Sequence, residues 1–245
     1  MPNLYSNTDD GAVVSSTLSA WADARDDTDG SSAVSSTSSG GSFTSVSRFG
    51  GRRGGTTYRV IRSFMYFDTS GITGTVSAAT IKVFGKSTND GSVIAVKSTA
   101  FGGDGGTALA TTDLDAITGY SAGSSLAGNA TTYGPQILTS SWSTSGYNDF
   151  TGTSDLRSDM ETQNVVIICF MDYTNDYLNI APGSTGTLDC GNYYTDNPGT
   201  SNDPYIEYTV SASGYIHDVS GVAAASIGKV NYIATASIGK INSVD

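Results

Sequence analysis

Alternating and compact runs of apolar residues dominate the chain, and only one short stretch has helical spacing. The strongest strand is expected over residues 58–68, where even-numbered and odd-numbered positions are both largely apolar. A strand that is apolar on both sides needs cover on both faces, as it has inside a β-sandwich. Further strands are expected over residues 42–49, 79–84, 92–97, 135–140, 164–171 and 205–210. The expected helix covers residues 153–161, where Thr, Ser and Asp can cap it.

The connections between these strands favour an antiparallel arrangement. Short strands separated by Gly, Ser, Thr and Asp loops, without intervening helices, argue against a parallel α/β fold. The Asn89-Asp90-Gly91 turn predicts a hairpin between residues 79–84 and 92–97. The sequence therefore predicts an all-β fold, an antiparallel β-sandwich of the jelly-roll type. The long polar stretches 26–41 and 101–134 are expected to be surface loops or excursions that pack against a neighbouring subunit.

Composition supports a folded chain rather than a disordered one. Ser, Thr and Gly make up 97 of 245 residues, but 38% of residues are hydrophobic and 10% are aromatic, which suits pleated surfaces. Cys169 and Cys190 do not make a disulfide framework, and Cys169 lies in an apolar run, so we expect it to be a small buried hydrophobe.

Charge and hydropathy exclude two classes of partner. The chain carries 12 Lys and Arg against 23 Asp and Glu, a net charge of -11, and has no basic stripe for nucleic acid. The longest apolar run, residues 165–171, is too short to cross a bilayer. The N-terminal residues have no basic or apolar export signal, so Sec-type export is not expected.

The C-terminal residues contain a repeat with a period of eleven. Residues 225–231 read ASIGKVN, and residues 236–242 read ASIGKIN. Two copies are too few to bury a core of their own, because stacked repeats generally need three or more. We therefore expect one domain over residues 1–212 and a repeat tail over residues 213–245 that docks onto another surface, for instance by β-augmentation. The docking positions are Ile227, Val230, Ile238 and Ile241.

Two segments resemble known families. Residues 62–72 (RSFMYFDTSGI) with 76–84 (VSAATIKVF), and the closing residues 203–210 (DPYIEYTV), resemble the core and final strands of DNRLRE-type jelly-roll domains. That resemblance implies a jelly roll, and its members include carbohydrate-binding modules and appended surface domains. The ASIGKxN repeats resemble short C-terminal repeats of predicted tailed-phage virion proteins. Together with the missing export signal, that resemblance implies synthesis in a bacterial cytoplasm and assembly into a phage particle.

Catalytic chemistry has little support in the sequence. The single histidine, His217, lies at the entry to the tail and is expected to be structural, and zinc lacks a His/Cys cluster. The carboxylates that could serve glycoside hydrolysis are scattered, namely Asp68, Asp172, Asp176 and Glu207. Asp68 is expected to accept turn N–H groups, and Arg62 to be an interior cation with a carboxylate partner.

One acidic loop is a candidate calcium site. Calcium prefers six to eight oxygen ligands, which clustered Asp residues with Gly can supply. The candidates are Asp23, Asp26, Asp27 and Asp29. The spacing is not that of an EF-hand and Arg25 lies inside the loop, so a solvated acidic turn is the competing interpretation. No other cofactor is expected.

Aromatic residues in loops are candidates for either glycan binding or subunit contacts. They are Trp21, Trp142, Tyr147, Tyr173, Tyr177, Tyr193 and Tyr194. Exposed rings can stack on sugars, and Tyr and Trp are also typical interface anchors.

The sequence thus predicts a non-enzymatic structural protein of a bacteriophage virion, either a capsid decoration or head-fibre protein or a tail or collar component. It would form a homo-oligomer, bind other capsid or tail proteins through its repeats, and use neither nucleic acid nor a membrane. The alternative is a carbohydrate-binding module or adhesin that binds host surface glycans.

Overall fold

The computed structural model describes residues 1–35, 42–50, 54–195, 200–211, 229–230 and 233–234. Two short helices, α1 (Trp21–Arg25) and α2 (Ser154–Thr162), accompany the strands, and neither is long and apolar enough to span a membrane. The body strands are β1 (Asn3–Tyr5), β2 (Gly11–Val14), β3 (Ser32–Ser35), β4 (Ser42–Gly50), β5 (Thr56–Asp68), β6 (Thr75–Asn89), β7 (Ser92–Lys97), β8 (Ile137–Leu138), β9 (Tyr147–Thr151), β10 (Val165–Asp172), β11 (Gly186–Asn192) and β12 (Tyr205–Ser211). Two further strands, β13 (Lys229–Val230) and β14 (Ile233–Ala234), lie in the tail.

Strands β1 to β12 are connected by antiparallel pairing, which confirms the predicted all-β sandwich, and β13 pairs antiparallel with β14. Sheet I contains β1, β12, β9 and the first part of β6. Sheet II is built on β5. One edge of β5 pairs with β2, and the other edge pairs with β4 along its first half and with β10 along its second half. Beyond β4 the sheet continues with β11, and beyond β10 it continues with β7 and β8. The last part of β6 pairs with β11, so β6 connects the two sheets.

Sheet II is covered on both faces, as the pattern of residues 58–68 predicts. Met65 and Phe67 of β5 belong to the core between the two sheets. Phe64 and Tyr66 belong to a second core on the opposite face. Cys169 is fully buried in that second core, as predicted, and burial raises the pKa of its thiol.

The second core corrects the interpretation of residues 101–134. This stretch is not a loop over solvent, because Phe101, Leu114, Ile117 and Leu126 are buried against the outer face of sheet II. The segment is therefore a cover layer built from the chain's own residues. Its few apolar side chains follow neither a helical nor a strand period, so periodicity could not reveal the layer.

Several expected elements change in length or pairing. The expected strand over 135–140 shrinks to β8, the stretch 26–41 contains β3, and α1 was not expected at all. The predicted hairpin at Asp90 is wrong, because β7 pairs with β10 and β8 rather than with β6. The turn instead leads from β6 into β7, whose first five residues are buried. Because both faces of β7 must be covered, it lies inside sheet II between β10 and β8 rather than beside β6. The expected helix is confirmed as α2, with the Thr153 hydroxyl accepting from the Leu156 N–H.

The ends of the body lie side by side. β1 pairs with β12 through Asn3 opposite Glu207 and Tyr5 opposite Tyr205. The strand that leads into the tail therefore has the N-terminal strand as its outer neighbour. Of the docking candidates, Val230 lies in β13, whereas Ile227, Ile238 and Ile241, like His217, fall outside the described residues.

Candidate functional site

Five aromatic side chains form a row on the outer face of sheet I, which we call the aromatic row. Its members are Tyr5, Phe84, Tyr147, Tyr193 and Tyr205. Side chains directly opposite each other in antiparallel strands share a face, and Phe150 opposite Ile81 is fully buried in the core. Successive side chains of a strand alternate between the two faces of its sheet. Phe84, three positions after Ile81, and Tyr147, three positions before Phe150, therefore face outward.

Neighbouring rings in the aromatic row pack edge against face. Tyr147 lies 5.2 Å from Phe84 at 83° and 5.0 Å from Tyr205 at 71°. Tyr5, the most exposed member at 47%, lies 5.5 Å from Tyr205 at 52°. Because the rings are tilted against one another, they do not form one flat platform. The row is a ridge of the kind found at protein interfaces, where Tyr is enriched.

Charged side chains border this ridge. Lys82 donates to Asp149 at 2.7 Å and lies 4.0 Å from Glu207, and the Lys86 ammonium is 5.4 Å from the centre of the Tyr193 ring. The Tyr147 hydroxyl donates to main-chain carbonyls of residues 201 and 203, and burial raises its pKa to about 12. Tyr147 is thus fixed in place rather than free to adapt to a ligand.

A second surface feature is a groove of about 530 Å³, which we call the tyrosine groove. Tyr173 and Tyr177 stack along it with their ring centres 5.7 Å apart and only 22° between their planes. The rest of the lining is uncharged: Ile94, Ala127, Thr132, Gly134, Pro135, Gln136, Thr151 and Thr153. The sequence singled out the two tyrosines, but not Gln136 or Thr151, which come from distant segments.

A capped π-helical turn, Tyr173–Tyr177, holds the stacked tyrosines. The Asp172 carboxylate caps this turn by accepting from the Asn175 N–H at 2.6 Å, and it also accepts from the Ser92 N–H at 3.0 Å. Burial raises the pKa of Asp172, while these hydrogen bonds oppose the rise. The turn is thereby tied to the start of β7, which supplies Ile94 to the groove.

Behind the turn lies a buried arginine cluster of Arg25, Arg62, Asp26, Tyr120 and Asp176. Arg62 donates from Nε to Asp176 Oδ2 at 2.8 Å and from Nη2 to Oδ1 at 2.7 Å, and both side chains are fully buried. Burial alone would lower the pKa of Arg62, but the charge of Asp176 and these hydrogen bonds raise it. This pair confirms the expectation that Arg62 has an interior carboxylate partner.

The cluster also joins three separate parts of the chain. Arg62 Nη1 donates to the Leu114 carbonyl at 2.6 Å, and Nη2 donates to the Arg25 carbonyl at 2.9 Å. The Tyr120 ring lies 5.1 Å from both guanidinium groups, which is cation–π distance. Arg62 therefore links α1, the cover layer and the π-helical turn to β5.

The two tryptophans are not exposed sugar platforms. Trp142 is only 7% exposed and belongs to the core between the sheets, so the expectation that it lies on a binding surface is wrong. Trp21 is half-buried in α1, where its indole N–H donates to Asn179 at 3.0 Å and its ring lies edge-on to Tyr58. Tyr194 is buried and donates to Ser63 at 3.2 Å.

The acidic loop uses its carboxylates for other contacts. Asp26 accepts from Arg25 at 2.5 Å and from the Tyr120 hydroxyl, and Asp27 accepts from the Ser16 N–H at 2.7 Å. Asp23 and Asp29 are exposed. Among the described residues, no three His, Cys, Asp or Glu side chains converge as metal ligands would. The calcium candidate gains no support and stays a prediction.

Asp68 accepts from the Ser70 N–H and hydroxyl, as the sequence predicts for the end of a strand. These hydrogen bonds lower its pKa. Asp172 and Asp176 are also committed to structural contacts, Asp172 with Ser92 and Asn175 and Asp176 with Arg62.

Comparisons with known proteins give no family. No protein-family model matches the chain, and no curated protein matches it.

Proposed function

We propose that this chain is a non-enzymatic structural protein of a bacteriophage particle, in which the sandwich is a rigid body and the C-terminal repeats dock it onto other virion proteins. The virion assignment rests on the resemblance of the ASIGKxN repeats to those of tailed-phage proteins. The docking role rests on the pairing of two short strands, β13 and β14, that begin in the first repeat.

The hairpin of β13 and β14 is the observation that carries the proposal. Val230 pairs with Ile233 and Lys229 with Ala234, and within the described part of the chain these strands pair only with each other. A two-stranded hairpin is marginally stable in water on its own. A hairpin separate from the body sheets favours a partner that extends it, and main-chain pairing with another protein is a common way to do so.

The aromatic row supports assembly as well. A ridge of tilted tyrosines with bordering ion pairs suits packing against a neighbouring protein, because both partners can bury aromatic area there. The row lies on the outer face of the sheet that contains β12, the last strand before the tail.

Disruption of the first repeat tests this role. Val230→Asp places a charge in the β13 position, and we expect the full-length variant to remain folded but to be lost from purified particles. Lys229→Ala on the same strand is the matched control and should be incorporated normally. Quantitative gels of particles, with melting curves of the isolated proteins, provide the measurement.

Loss of Val230→Asp from particles with an unchanged melting temperature supports the proposal. Normal copy number of that variant would refute docking through the repeat, and so would normal incorporation of a chain that lacks residues 213–245. Absence of the protein from particles altogether would refute the virion assignment.

A further inference from the structure

The tyrosine groove combines a stacking surface with polar groups that the protein does not use. Tyr177 is 6% exposed, and Tyr173 is the more exposed ring of the pair. Gln136 and Thr151 are exposed, and neither their side chains nor the two tyrosine hydroxyls make a hydrogen bond to any other described residue. Thr153, by contrast, is occupied, because its hydroxyl donates to the Thr132 carbonyl at 2.7 Å and accepts from Leu156.

The groove has the dimensions and rigidity of a small-molecule site. Its volume of about 530 Å³ lies within the range of about 300–1,000 Å³ that is typical of such sites. The wall that carries the tyrosines is held by the Asp172 cap and by the ion pair of Arg62 with Asp176. A ligand that stacks on Tyr173 would therefore meet an ordered surface, and little conformational entropy would be lost on binding.

The polar and apolar groups select one class of ligand. A sugar ring has an apolar C–H face that can lie on Tyr173 and hydroxyl groups at its edge that can exchange hydrogen bonds with Gln136 and Thr151. Among the residues that the structure describes, none that lines the groove is charged, and the chain has a net charge of -11. Acidic sugars, nucleotides and other anions are therefore disfavoured.

We propose that the tyrosine groove binds a neutral carbohydrate, with one sugar ring stacked on Tyr173 and its hydroxyl groups held by Gln136 and Thr151. This binding activity goes beyond the assembly role and is independent of it, since the groove and the aromatic row share no residue. The rings of the aromatic row are tilted by 52° to 83° against one another, whereas Tyr173 and Tyr177 lie only 22° apart and form the flatter surface.

A glycan array probed with the full-length protein provides the first test. We expect binding to neutral glycans and none to sialylated or sulfated ones. The neutral glycan with the strongest signal is then titrated against variants by calorimetry.

Three substitutions distinguish a loss of affinity through lost ring stacking or hydrogen bonding from a loss of affinity through unfolding. Tyr173→Ala should weaken binding at least tenfold, Tyr173→Phe should keep most of the affinity because the ring remains, and Gln136→Ala should weaken binding several-fold. Tyr147→Ala, in the aromatic row, is the matched control and should bind as the wild type does. Melting curves identify any variant that has lost its fold, and Tyr173→Phe tests the site even if Tyr173→Ala unfolds.

The outcomes are distinct. No binding to any neutral glycan, binding restricted to acidic glycans, or an affinity unchanged by both Tyr173→Ala and Gln136→Ala would each overturn the proposal. Preferential capture of apolar peptides from a peptide array, with no glycan signal, would assign the groove to a protein partner instead. None of these results bears on incorporation into particles, so the two proposals can fail separately.

Discussion

Removal of the Asp176 charge should be among the most damaging single changes in this protein. Asp176→Asn keeps the shape of the side chain but takes the carboxylate away from Arg62, which donates to it twice, at 2.8 and 2.7 Å. Arg25 Nε also lies 3.6 Å from Asp176 Oδ1, and all three side chains are fully buried. The substitution leaves these guanidinium groups desolvated without a full counter-charge.

The expected cost follows from that burial. Breaking a buried ion pair by removing one partner typically costs about 3–5 kcal/mol, because the remaining charge stays out of water. The matched control is Asp149→Asn, which breaks the pair with Lys82 at a carboxylate that is 53% exposed. An exposed pair of this kind contributes only about 0–1 kcal/mol.

Urea denaturation at neutral pH measures the loss of unfolding free energy in Asp176→Asn and in Asp149→Asn. The comparison requires that the slope of unfolding free energy against urea concentration is the same in all variants. A loss below about 1 kcal/mol for Asp176→Asn would refute the reasoning, since it would mean that water or another group replaces the carboxylate. The double variant Arg62→Met with Asp176→Leu should recover much of the loss, because it removes charge and counter-charge together.

Two further predictions concern buried side chains. Asp10 is fully buried beside the hydroxyls of Ser6 and Thr195, and burial raises its pKa well above the usual value. The folded state therefore holds the Asp10 proton more tightly than the unfolded state, so the free energy of unfolding falls as the pH rises above about 4, the pKa of an unfolded Asp. Asp10→Asn has no such proton to lose, so in urea titrations it should become more stable relative to the wild type as the pH rises. A stability difference that does not change with pH would contradict this. Trp142→Ala should cost about 3–5 kcal/mol because the ring fills the core, whereas Trp142→Phe should cost much less. A Trp142→Ala protein that unfolds at the wild-type urea concentration would show that the ring is not part of the core.

Local patterns were sufficient wherever burial alone decides the structure. The two-sided apolar pattern of residues 58–68 predicts the two cores that meet at β5, because each face of a strand must be covered by something apolar. The same reasoning places Cys169 in the interior. The requirement for a partner to Arg62 was also predictable, although the identity of that partner was not, since Asp176 lies 114 positions away along the chain.

Pairing and exposure could not be predicted in the same way. The turn at Asp90 fixes a reversal of the chain but not the neighbour of the next strand, which depends on contacts with β10 and β8. Trp142 stands in a Ser- and Thr-rich stretch that reads as a surface loop, yet its ring lies in the core. Gln136 and Thr151 carried no signal, because only the folded chain brings them to the stacked tyrosines.

The stability of the interior and the order of the groove depend on the same turn. Asp176, which neutralises Arg62, and Tyr173 and Tyr177, which line the groove, all belong to the five-residue π-helical turn. A site on an exposed turn would normally lose affinity to disorder, because the ligand must then order the chain as it binds. The buried ion pair anchors that turn, so under the proposed sugar binding the burial of Arg62 would serve the groove as well as the fold.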